Sequence, residues 1–484
     1  MKRMKKIVAA LLAVAMLMVS APAFAWDVET PGETAARYIK AIVAKIAEDY
    51  RFDIDQETMY EAIMDYVMRE NPELLEGAII AAMEPLDPHS SYFPEEELTT
   101  FIEDVTGAYV GIGVTIQYKE TGIEILEVNP NGGAKQAGLK VGDIIVKVDG
   151  QNVVGMTTGE VSALVRGEEN TTVALEFLRG EERLSANVLR MKLYTETVTS
   201  RITEDNIGYI YISSFTESTP DSVKKTLNDM KNRNVRKFLI DVRDNPGGEL
   251  GSVIETLELF VPKGRVLTTL QYNNERRNKE IKSEAKFSLT PNREIVVLAN
   301  ENSASAAELF VGALQNLKIA KFVGVDTYGK GSMQEFMGLI SPTTAELGDI
   351  KLSVAEFTKP DGSTINGIGI EPDVRVANVY VPYDVSKLTP MTFSDRYQVG
   401  SKGNDVLAIE ERLYIVGFDP GAIDGVFDED TKRATESFQK ATGLPVYGVM
   451  DYTTQNTLND KMAEVEVEKD RQYEKAYEIL KKEK

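Results

Sequence analysis

The chain of 484 residues contains no cysteine and a single histidine, His89. The missing cysteine excludes disulfide bonds, thiolate nucleophiles and cysteine-ligated zinc. With one histidine, a two-histidine zinc site cannot be built, and a Ser-His-Asp triad could use only His89. The base of any hydrolytic reaction is therefore expected to be a lysine, a carboxylate, a tyrosine or an amino-terminal amine.

Positive charge is also in short supply. Lys and Arg number 54 against 76 Asp and Glu, which gives a formal charge of −22. Nucleic-acid-binding proteins usually present a basic face, and the sequence shows no such stripe, so no nucleic-acid partner is expected. The apolar content of 43% is ordinary for globular protein, and the length is sufficient for about three domains.

The amino terminus has the pattern of a secretory signal peptide. Four basic residues among the first six precede an apolar run over residues 7–19, and Ala23-Phe24-Ala25 follows it. We expect cleavage after residue 25, which removes four positive charges and takes the formal charge from −22 to −26. An uncleaved anchor is the alternative, because the uncharged stretch up to Trp26 is barely long enough to span a bilayer. Either way the protein is expected outside the cytoplasm: in the cell wall, in an intermembrane space or secreted.

Changes in periodicity divide the rest of the chain. Residues 26–103 have helical spacing, residues 104–193 read as short alternating strands with glycine turns, and residues 194–385 alternate strands with helices. Residues 393–460 form a glycine-punctuated helical pattern. Residues 461–484 are highly charged with sparse apolar positions, which predicts a solvated or partner-bound helix.

A first catalytic candidate is Asn-Ser-Ala-Ser-Ala-Ala-Glu at residues 302–308, which follows a short apolar strand and opens a helix. A serine on such a turn exposes its hydroxyl, and the N–H groups after it can stabilise negative charge. The same letters spell a capping box from Ser305 to Glu308, and a plain helix cap is favoured when the segment is taken alone. Ser303 is a second candidate nucleophile.

A second candidate is Lys330, which lies between two glycines with Gln334 on the same face of an extended chain. A lysine acts as a base only when neutral, which requires desolvation and hydrogen-bond acceptors. Residues 324–330 also fit the start of a phosphate-binding loop, but Gly331 replaces the magnesium-binding Ser or Thr. We therefore reject nucleotide binding and expect neither a metal nor an organic cofactor.

A third candidate is Leu-Ile-Asp-Val-Arg-Asp-Asn-Pro-Gly-Gly at residues 239–248, where a strand runs into a Gly-Gly turn. Such a turn can present N–H groups as an oxyanion hole, and a plain strand-to-helix connection is the alternative. Each segment by itself is weak evidence for a catalytic site. Together, in a chain with one histidine and no cysteine, they indicate a serine–lysine hydrolase.

These three segments, with Leu-Asp-Pro-His-Ser-Ser-Tyr at residues 86–92, resemble the carboxy-terminal processing, or tail-specific, protease family. The likeness runs in order from about Thr34 to Val379. It implies a crotonase-like α/β core at residues 194–385 and a structural role for His89, and its spacing favours Ser305 over Ser303. The site it implies has Ser305 as nucleophile, Lys330 as general base, Gln334 orienting that lysine, and the N–H groups of Gly248 and Ala306 as oxyanion hole.

Residues 109–114, Tyr-Val-Gly-Ile-Gly-Val, resemble the carboxylate-binding loop of a PDZ domain. Successive N–H groups in a glycine loop can bind a terminal carboxylate, and the next strand offers an edge to an extended peptide. The expected peptide-binding residues are Val110, Gly111, Ile112 and Gly113. Arg166 and Arg179 are candidates for coupling this domain to the active site, with solvated surface charges as the alternative.

Residues 393–460 resemble the small three-helix peptidoglycan-binding domain, with protein contacts as an alternative role. The complete expectation is a multidomain α+β chain: an N-terminal helical region, a PDZ-like β domain, a crotonase-like α/β protease core and a small three-helix peptidoglycan-binding-like domain. The family resemblance further implies a homodimer through the N-terminal helices and the charged tail. The predicted function is a secreted serine endopeptidase that recognises accessible C-terminal tails of proteins.

The sequence disfavours two other classes of protein. A wall-tethered binding scaffold would use only the PDZ-like and wall-binding modules, and it is disfavoured because Ser305 and Lys330 are both present. An autolysin would need paired glycosidase carboxylates or a metal site, and no segment suggests either.

Overall fold

The computed structural model describes residues 36–37, 39–44, 56–71, 74–285, 293–340, 346–393 and 395–482. The predicted signal peptide, residues 1–25, lies outside this part of the chain. Among the described residues, no helix has both the length and the apolar character needed to cross a membrane.

The chain divides into two compact units after Asp87. The first unit is helical, as the apolar spacing predicts, and includes α1 (Gln56–Glu70) and α2 (Leu75–Met83). Neither helix has a fully buried residue. Apolar side chains such as Met64 and Ile80 are therefore exposed, about half of their surface in each case. The homodimer implied for these helices stays a prediction.

The second unit opens with strand β1 (Ser91–Phe93) and helix α3 (Glu95–Thr106) and continues into an antiparallel β module. The elements of this module are β2 (Ala108–Gly111), β3 (Val114–Lys119), β4 (Gly122–Val128), α4 (Gly133–Gln136), β5 (Ile144–Val148), β6 (Gln151–Asn152), α5 (Thr158–Val165), β7 (Thr172–Arg179), β8 (Glu182–Leu189) and β9 (Met191–Tyr194). The sheet order is β3-β4-β5-β7-β8 with β6 on β5, and β2 pairs with β9 in a separate ribbon. Inward-facing Ile, Val, Leu and Phe residues give the module its own core.

An α/β module follows. Its elements are β10 (Val198–Ile202), β11 (Ile207–Ile212), α6 (Thr219–Asn232), β12 (Lys237–Asp241), α7 (Leu250–Glu258), β13 (Val266–Tyr272), β14 (Lys279–Lys282), β15 (Glu294–Ala299), α8 (Ala306–Asn316), β16 (Lys321–Gly324), β17 (Ser332–Ile340), β18 (Glu346–Phe357) and β19 (Val374–Arg375), with a short 3-10 turn at Glu275–Arg277. One sheet has the order β10-β11-β12-β15-β16-β19 and is parallel from β11 onward. Its central strands are nearly continuous apolar runs because α6, α7 and α8 cover one face and a further helix covers the other.

A second sheet in this module has the order β1-β18-β13-β14, with β17 also paired to β18. Helix α3 lies against it through aromatic contacts. The Phe93 and Phe101 ring centroids are 4.6 Å apart, and those of Phe101 and Phe336 are 5.5 Å apart. The amino end of this unit therefore helps to build the surroundings of β17 and β18.

The last segment contains β20 (Val379–Pro382), a 3-10 turn at Val385–Lys387, helices α9 (Asn404–Ile415), α10 (Glu429–Ala441) and α11 (Tyr452–Ala463), strand β21 (Glu466–Lys469) and helix α12 (Arg471–Lys482). The three helices α9 to α11 enclose a small core of their own. The prediction of a solvated or partner-bound tail at residues 461–484 was wrong. Helix α12 packs on the six-stranded sheet, where Ala476 and Leu480 are completely buried against Leu239 and Val296.

Candidate active site

Ser305 occupies the turn between strand β15 and helix α8. Its backbone has φ +56° and ψ −117°, a sparsely populated conformation for a residue other than glycine. Strained strand-to-helix turns of this kind project a serine hydroxyl outward from a sheet. The N–H of Ser305 donates to Oε2 of Glu308 at 2.9 Å, the carboxylate half of the capping box read in the sequence. The capping interaction therefore coexists with a half-buried Ser305.

Ser303, the second candidate nucleophile, points into the protein. It is completely buried, and its hydroxyl donates to the carbonyl of Val242 at 2.8 Å and accepts from the N–H of Asn300 at 2.9 Å. These bonds fasten the turn to the end of β12. Ser303 is thus a structural element of the turn and does not line the cleft described below.

Lys330 is carried by a loop that Glu308 holds in place. The buried Glu308 carboxylate accepts from Thr327 Oγ1 at 2.6 Å, from the N–H of Gly329 at 2.7 Å and from the N–H of Lys330 at 2.8 Å. A Cβ on Gly331 would lie 2.5 Å from the backbone nitrogen of Asn366, so this loop tolerates only glycine there. The loop amides that resemble a phosphate cradle are thus bound to a carboxylate.

The Gly247–Gly248 turn presents a backbone N–H toward the same region. Phe215 pairs with this turn, accepting from Glu249 N and donating to Gly247 O, each at 2.8 Å. This parallel pairing directs the Gly248 N–H away from Phe215. Among the described residues, neither the Gly248 N–H nor the Ala306 N–H donates a hydrogen bond to the protein. Both are available for an oxyanion.

A cleft of about 650 Å³ joins these pieces. Every catalytic and oxyanion-hole residue expected from the sequence lines it: Ser305, Lys330, Gln334, Gly248 and Ala306. Its remaining walls are largely apolar, contributed by α3, α7 and β17. The Gln334 side-chain nitrogen donates to Ser332 Oγ at 3.0 Å and to Ser353 Oγ at 2.9 Å, so the orientation of this amide is fixed by two hydroxyls.

One carboxyl group that lines the cleft, Glu249, is half-buried. Burial, together with the negative charge of Glu217, raises the pKa of Glu249 above its ordinary value. Glu249 immediately follows Gly248 in the chain.

A second groove, of about 410 Å³, lies in the antiparallel β module. Three of the four expected peptide-binding residues line it, namely Gly111, Ile112 and Gly113, whereas Val110 does not and Tyr109 does. Within the described chain, the N–H groups of Ile112 and Gly113 donate no hydrogen bond to the protein. Two successive free amides at the end of a groove suit a carboxylate.

The two candidate coupling arginines differ. Arg179 stays within the β module, where it forms a bidentate pair with the buried Asp143 at 2.8 and 2.7 Å. Arg166 reaches out of the module, pairing with Glu103 of α3 and lying over the Tyr109 ring at 5.9 Å. Of these two arginines, only Arg166 contacts helix α3.

Helix α3 separates the two pockets. Asp104 at its end and Ser214 line both the groove and the cleft. The helix is fastened to the α/β module at its carboxyl end, because Glu217 N donates to Thr106 O at 3.1 Å and a Cβ on Gly107 would lie 2.7 Å from Thr216 Cγ2. The groove and the cleft thus share a wall.

Sequence reasoning missed the role of Glu308 in holding the loop that carries Lys330. The Ser305-to-Glu308 spacing indicated a cap, but the contacts of Glu308 with the lysine loop, about twenty residues later, leave no local signal. Ser353, which accepts from Gln334, was missed for the same reason, since only the pairing of β17 with β18 brings the two together. Ser332 lies two residues before Gln334, on the same face of an extended chain.

Three parts of the chain match models of known protein families. Residues 206–376 match the model of peptidase family S41, residues 124–179 a PDZ domain and residues 402–458 a putative peptidoglycan binding domain. These matches confirm the predicted multidomain fold class.

Two curated relatives align over most of the chain. The carboxy-terminal processing protease CtpA of Bacillus subtilis is 32% identical over 90% of this chain and 91% of its own length. A probable CtpA-like serine protease of Staphylococcus haemolyticus is 32% identical over 90% of this chain and 86% of its own. Among solved structures, a photosystem II D1 C-terminal processing protease matches with a TM-score of 0.42, at 22% identity over 73% of this chain and 93% of its own. From the curated relatives, the chain belongs to the carboxy-terminal processing proteases of peptidase family S41 and is a serine peptidase.

Proposed function

We propose that this serine peptidase is an exported endopeptidase that recognises the C-terminal tail of a protein substrate through its PDZ domain and cuts with a Ser305–Lys330 dyad. The observation that carries the proposal is that both residues line one cleft and that their backbone N–H groups donate to the same oxygen of Glu308. A shared carboxylate fixes the two loops relative to each other, as a two-residue catalytic unit requires.

In the proposed reaction, Ser305 Oγ attacks the scissile carbonyl carbon while the neutral Lys330 amine accepts the hydroxyl proton. The carbonyl oxygen becomes an oxyanion that accepts from the N–H groups of Gly248 and Ala306. Collapse of this intermediate breaks the C–N bond, and the Lys330 ammonium returns its proton to the leaving amine. Lys330 then activates a water molecule, which hydrolyses the acyl ester and restores Ser305.

Gln334 is assigned to orient the lysine. Its side-chain nitrogen is committed to the hydroxyls of Ser332 and Ser353, so the oxygen of the same amide is the atom we assign as acceptor for the Lys330 amine. An amide oxygen suits this role because, unlike a carboxylate, it accepts a hydrogen bond without stabilising the charged form by a full negative charge.

Tail recognition is assigned to the groove beside Ile112 and Gly113. The terminal carboxylate of a substrate would accept from their N–H groups while its last side chains enter the groove beside Ile116, Val161 and Val165. The shared wall at α3 and the Arg166–Glu103 ion pair support a coupling between this event and the cleft. Through these contacts, an occupied groove can gate or deliver the chain to Ser305.

The location and the further partners are proposed on other grounds. The amino-terminal pattern and the peptidoglycan-binding domain together support an extracytoplasmic protein. Peptidoglycan is the proposed ligand of that domain, with a protein contact as the alternative. A homodimer is proposed through the exposed apolar faces of α1 and α2 alone, because the tail is used within the chain.

The experiment compares the chain from Trp26 with its Ser305→Ala variant on a loosely folded protein that ends in apolar residues, with a free or an amidated carboxyl terminus. Fragments are identified by intact mass. Cleavage by the wild type alone, reduced by amidation, is expected. Equal cleavage of both tails would contradict PDZ recognition but keep the protease.

Cleavage by the Ser305→Ala variant would contradict the dyad. If the intact chain cuts neither substrate, the variant lacking residues 104–193 distinguishes the remaining cases. Activity that appears only on deletion indicates inhibition by the PDZ domain. Inactivity of both proteins favours the binding scaffold.

A further inference from the structure

The segment after the three-helix domain returns to the protease core. Strand β21 pairs antiparallel with β20, with Glu466 opposite Pro382, and Tyr383 N donates to Val465 O at 2.9 Å. The chain therefore leaves the core at residue 383 and re-enters it at residue 465. The residues between these two neighbouring points include the three helices with their separate apolar core.

After its return, the chain forms helix α12, which packs on the six-stranded sheet. Helix α12 covers the face opposite α6, α7 and α8, and its Tyr473 ring meets Tyr209 of β11 edge-on at 5.7 Å. Lys237 Nζ of β12 donates to the carbonyl of Leu480 at 2.5 Å. A largely parallel sheet needs cover on both faces, so this last helix is part of the catalytic module.

Asp470, the residue between β21 and α12, contacts Arg243, which follows β12. Its carboxylate receives two hydrogen bonds from the Arg243 guanidinium, at 2.6 and 2.9 Å. The same guanidinium binds Asp241 at 2.7 and 3.0 Å, and Asp241 is almost completely buried at the end of β12. A planar guanidinium that is hydrogen-bonded to two carboxylates is fixed in position and orientation.

Arg243 stands at the start of the turn that leads to Gly248. Two residues later, the buried Asn245 side chain accepts from Gly247 N at 2.8 Å and donates to Ile212 O at 2.9 Å. The backbone carbonyl of Asn245 accepts from Ala304 N at 3.0 Å. The turn is thus rigid from Asn245 onward. At the β12 end, the turn is held by the pairing of Arg243 with Asp241 and by Asp244, whose N–H donates to Asn300 Oδ1 at 2.9 Å.

We propose that Asp470 is a positioning residue for peptide hydrolysis, which holds Arg243 so that the 244–248 turn presents the Gly248 N–H to the oxyanion. This inference rests on the proposed oxyanion hole. It makes catalysis depend on residues that follow the peptidoglycan-binding domain in the chain. That domain is an insertion between two neighbouring points of the core.

The test measures kcat and KM of full-length Asp470→Asn on a tail-bearing peptide. Loss of the carboxylate charge is expected to lower kcat about tenfold with KM nearly unchanged, because the affected contact is made in the transition state. Affinity for a peptide aldehyde, whose adduct carries an oxyanion, should fall by the same factor, while affinity for an unreactive peptide stays constant. Asp470→Glu, which keeps the charge, should recover part of kcat.

Glu468→Gln is the matched control, since Glu468 lies on β21, two residues before Asp470, and accepts a hydrogen bond from Asn378, not from Arg243. Its kcat should equal that of the wild type. An Asp470→Asn enzyme with wild-type kcat and aldehyde affinity would overturn the inference, as would equal losses in Asp470→Asn and Glu468→Gln. A wild type that does not cleave would instead overturn the proposed function.

A second variant tests whether the core and the segment after residue 465 work without the three-helix domain. Residues 384–464 are replaced by Asn-Gly, a two-residue turn suited to joining the paired residues 383 and 465. The shortened chain should keep its peptide cleavage within about twofold and should remain sensitive to Asp470→Asn. Wild-type activity in the doubly altered chain would contradict the proposal.

Discussion

The backbone N–H groups of Ser305 and Lys330 converge on a single atom, Oε2 of Glu308, at 2.9 and 2.8 Å. The two residues belong to different loops, one opening α8 and the other preceding β17. The carboxylate that joins them is completely buried, so solvent screens this contact very little. Glu308 takes no part in the proposed bond-making and bond-breaking steps. Its carboxylate thus sets the spacing between the proposed nucleophile and base.

Glu308→Gln should lower kcat about 100-fold, because in either orientation the amide nitrogen faces N–H donors from which it cannot accept, and a small misplacement of either loop is costly. The free energy of unfolding should fall by about 1–3 kcal/mol as buried donors lose their partner. Peptide cleavage and urea unfolding measure the two effects. Glu301→Gln, an exposed position on the preceding turn, is the control. Wild-type kcat in Glu308→Gln would refute the shared-carboxylate account.

Gly248→Ala should abolish most of the activity, because Gly248 has φ +137° and its new Cβ would lie 2.1 Å from the carbonyl oxygen of Phe215. Displacing one oxyanion donor costs about 10²- to 10³-fold in kcat. Gly159→Ala in helix α5 is the matched control, since a Cβ there meets nothing within 4 Å. It should leave kcat unchanged and raise stability by about 0.5–1 kcal/mol. Equal activity of the two variants would argue against the assigned hole.

Arg166→Glu should weaken the dependence of cleavage on a free C-terminal carboxylate, because it breaks the pair with Glu103 on the shared wall. The pair is partly exposed, so the expected change in the ratio of free-tail to amidated-tail cleavage is up to about fivefold. Arg166→Glu combined with Glu103→Arg should restore the ratio. Arg183→Ala, which removes an exposed arginine of the same module, is the control. A ratio unmoved by Arg166→Glu would exclude this coupling.

Acid should weaken the attachment of the carboxyl-terminal helix. Burial alone would raise the pKa of Asp470, but hydrogen bonds from Arg243 and from the N–H of Tyr473 outweigh it and leave the pKa below its ordinary value. A lowered folded-state pKa stabilises the fold above the unfolded value of about 3.9 and loses that contribution as pH falls through the folded value. The free energy of unfolding is measured in urea at neutral pH and near pH 3. Its decrease between the two pH values should be smaller in Asp470→Asn than in the wild type. An equal difference in both proteins would contradict this assignment.

The sequence predicted the local features of the site and missed the distant ones. Ser305, Lys330 and the Gly-Gly turn stand in short segments whose turn chemistry is visible in the letters alone. Asp470 lies 227 residues from Arg243, and nothing near either residue indicates the partner. The tail was misjudged for a related reason. Its apolar positions are too few for a self-evident amphipathic helix, yet Ala476 and Leu480 are buried because Ile207, Leu239, Val296, Leu298 and Val323 of the facing sheet form an apolar cluster with them.

The most direct measurement of the central claim is to trap the acyl-enzyme. The chain from Trp26 is incubated with a slowly deacylating peptide ester, and the modified residue is located by tandem mass spectrometry. The account predicts an acyl group on Ser305, absent in Ser305→Ala and strongly reduced in Lys330→Ala, with Ser303→Ala still modified at Ser305 if it folds. An acyl group on Ser303, or undiminished acylation of the Lys330→Ala variant, would contradict it.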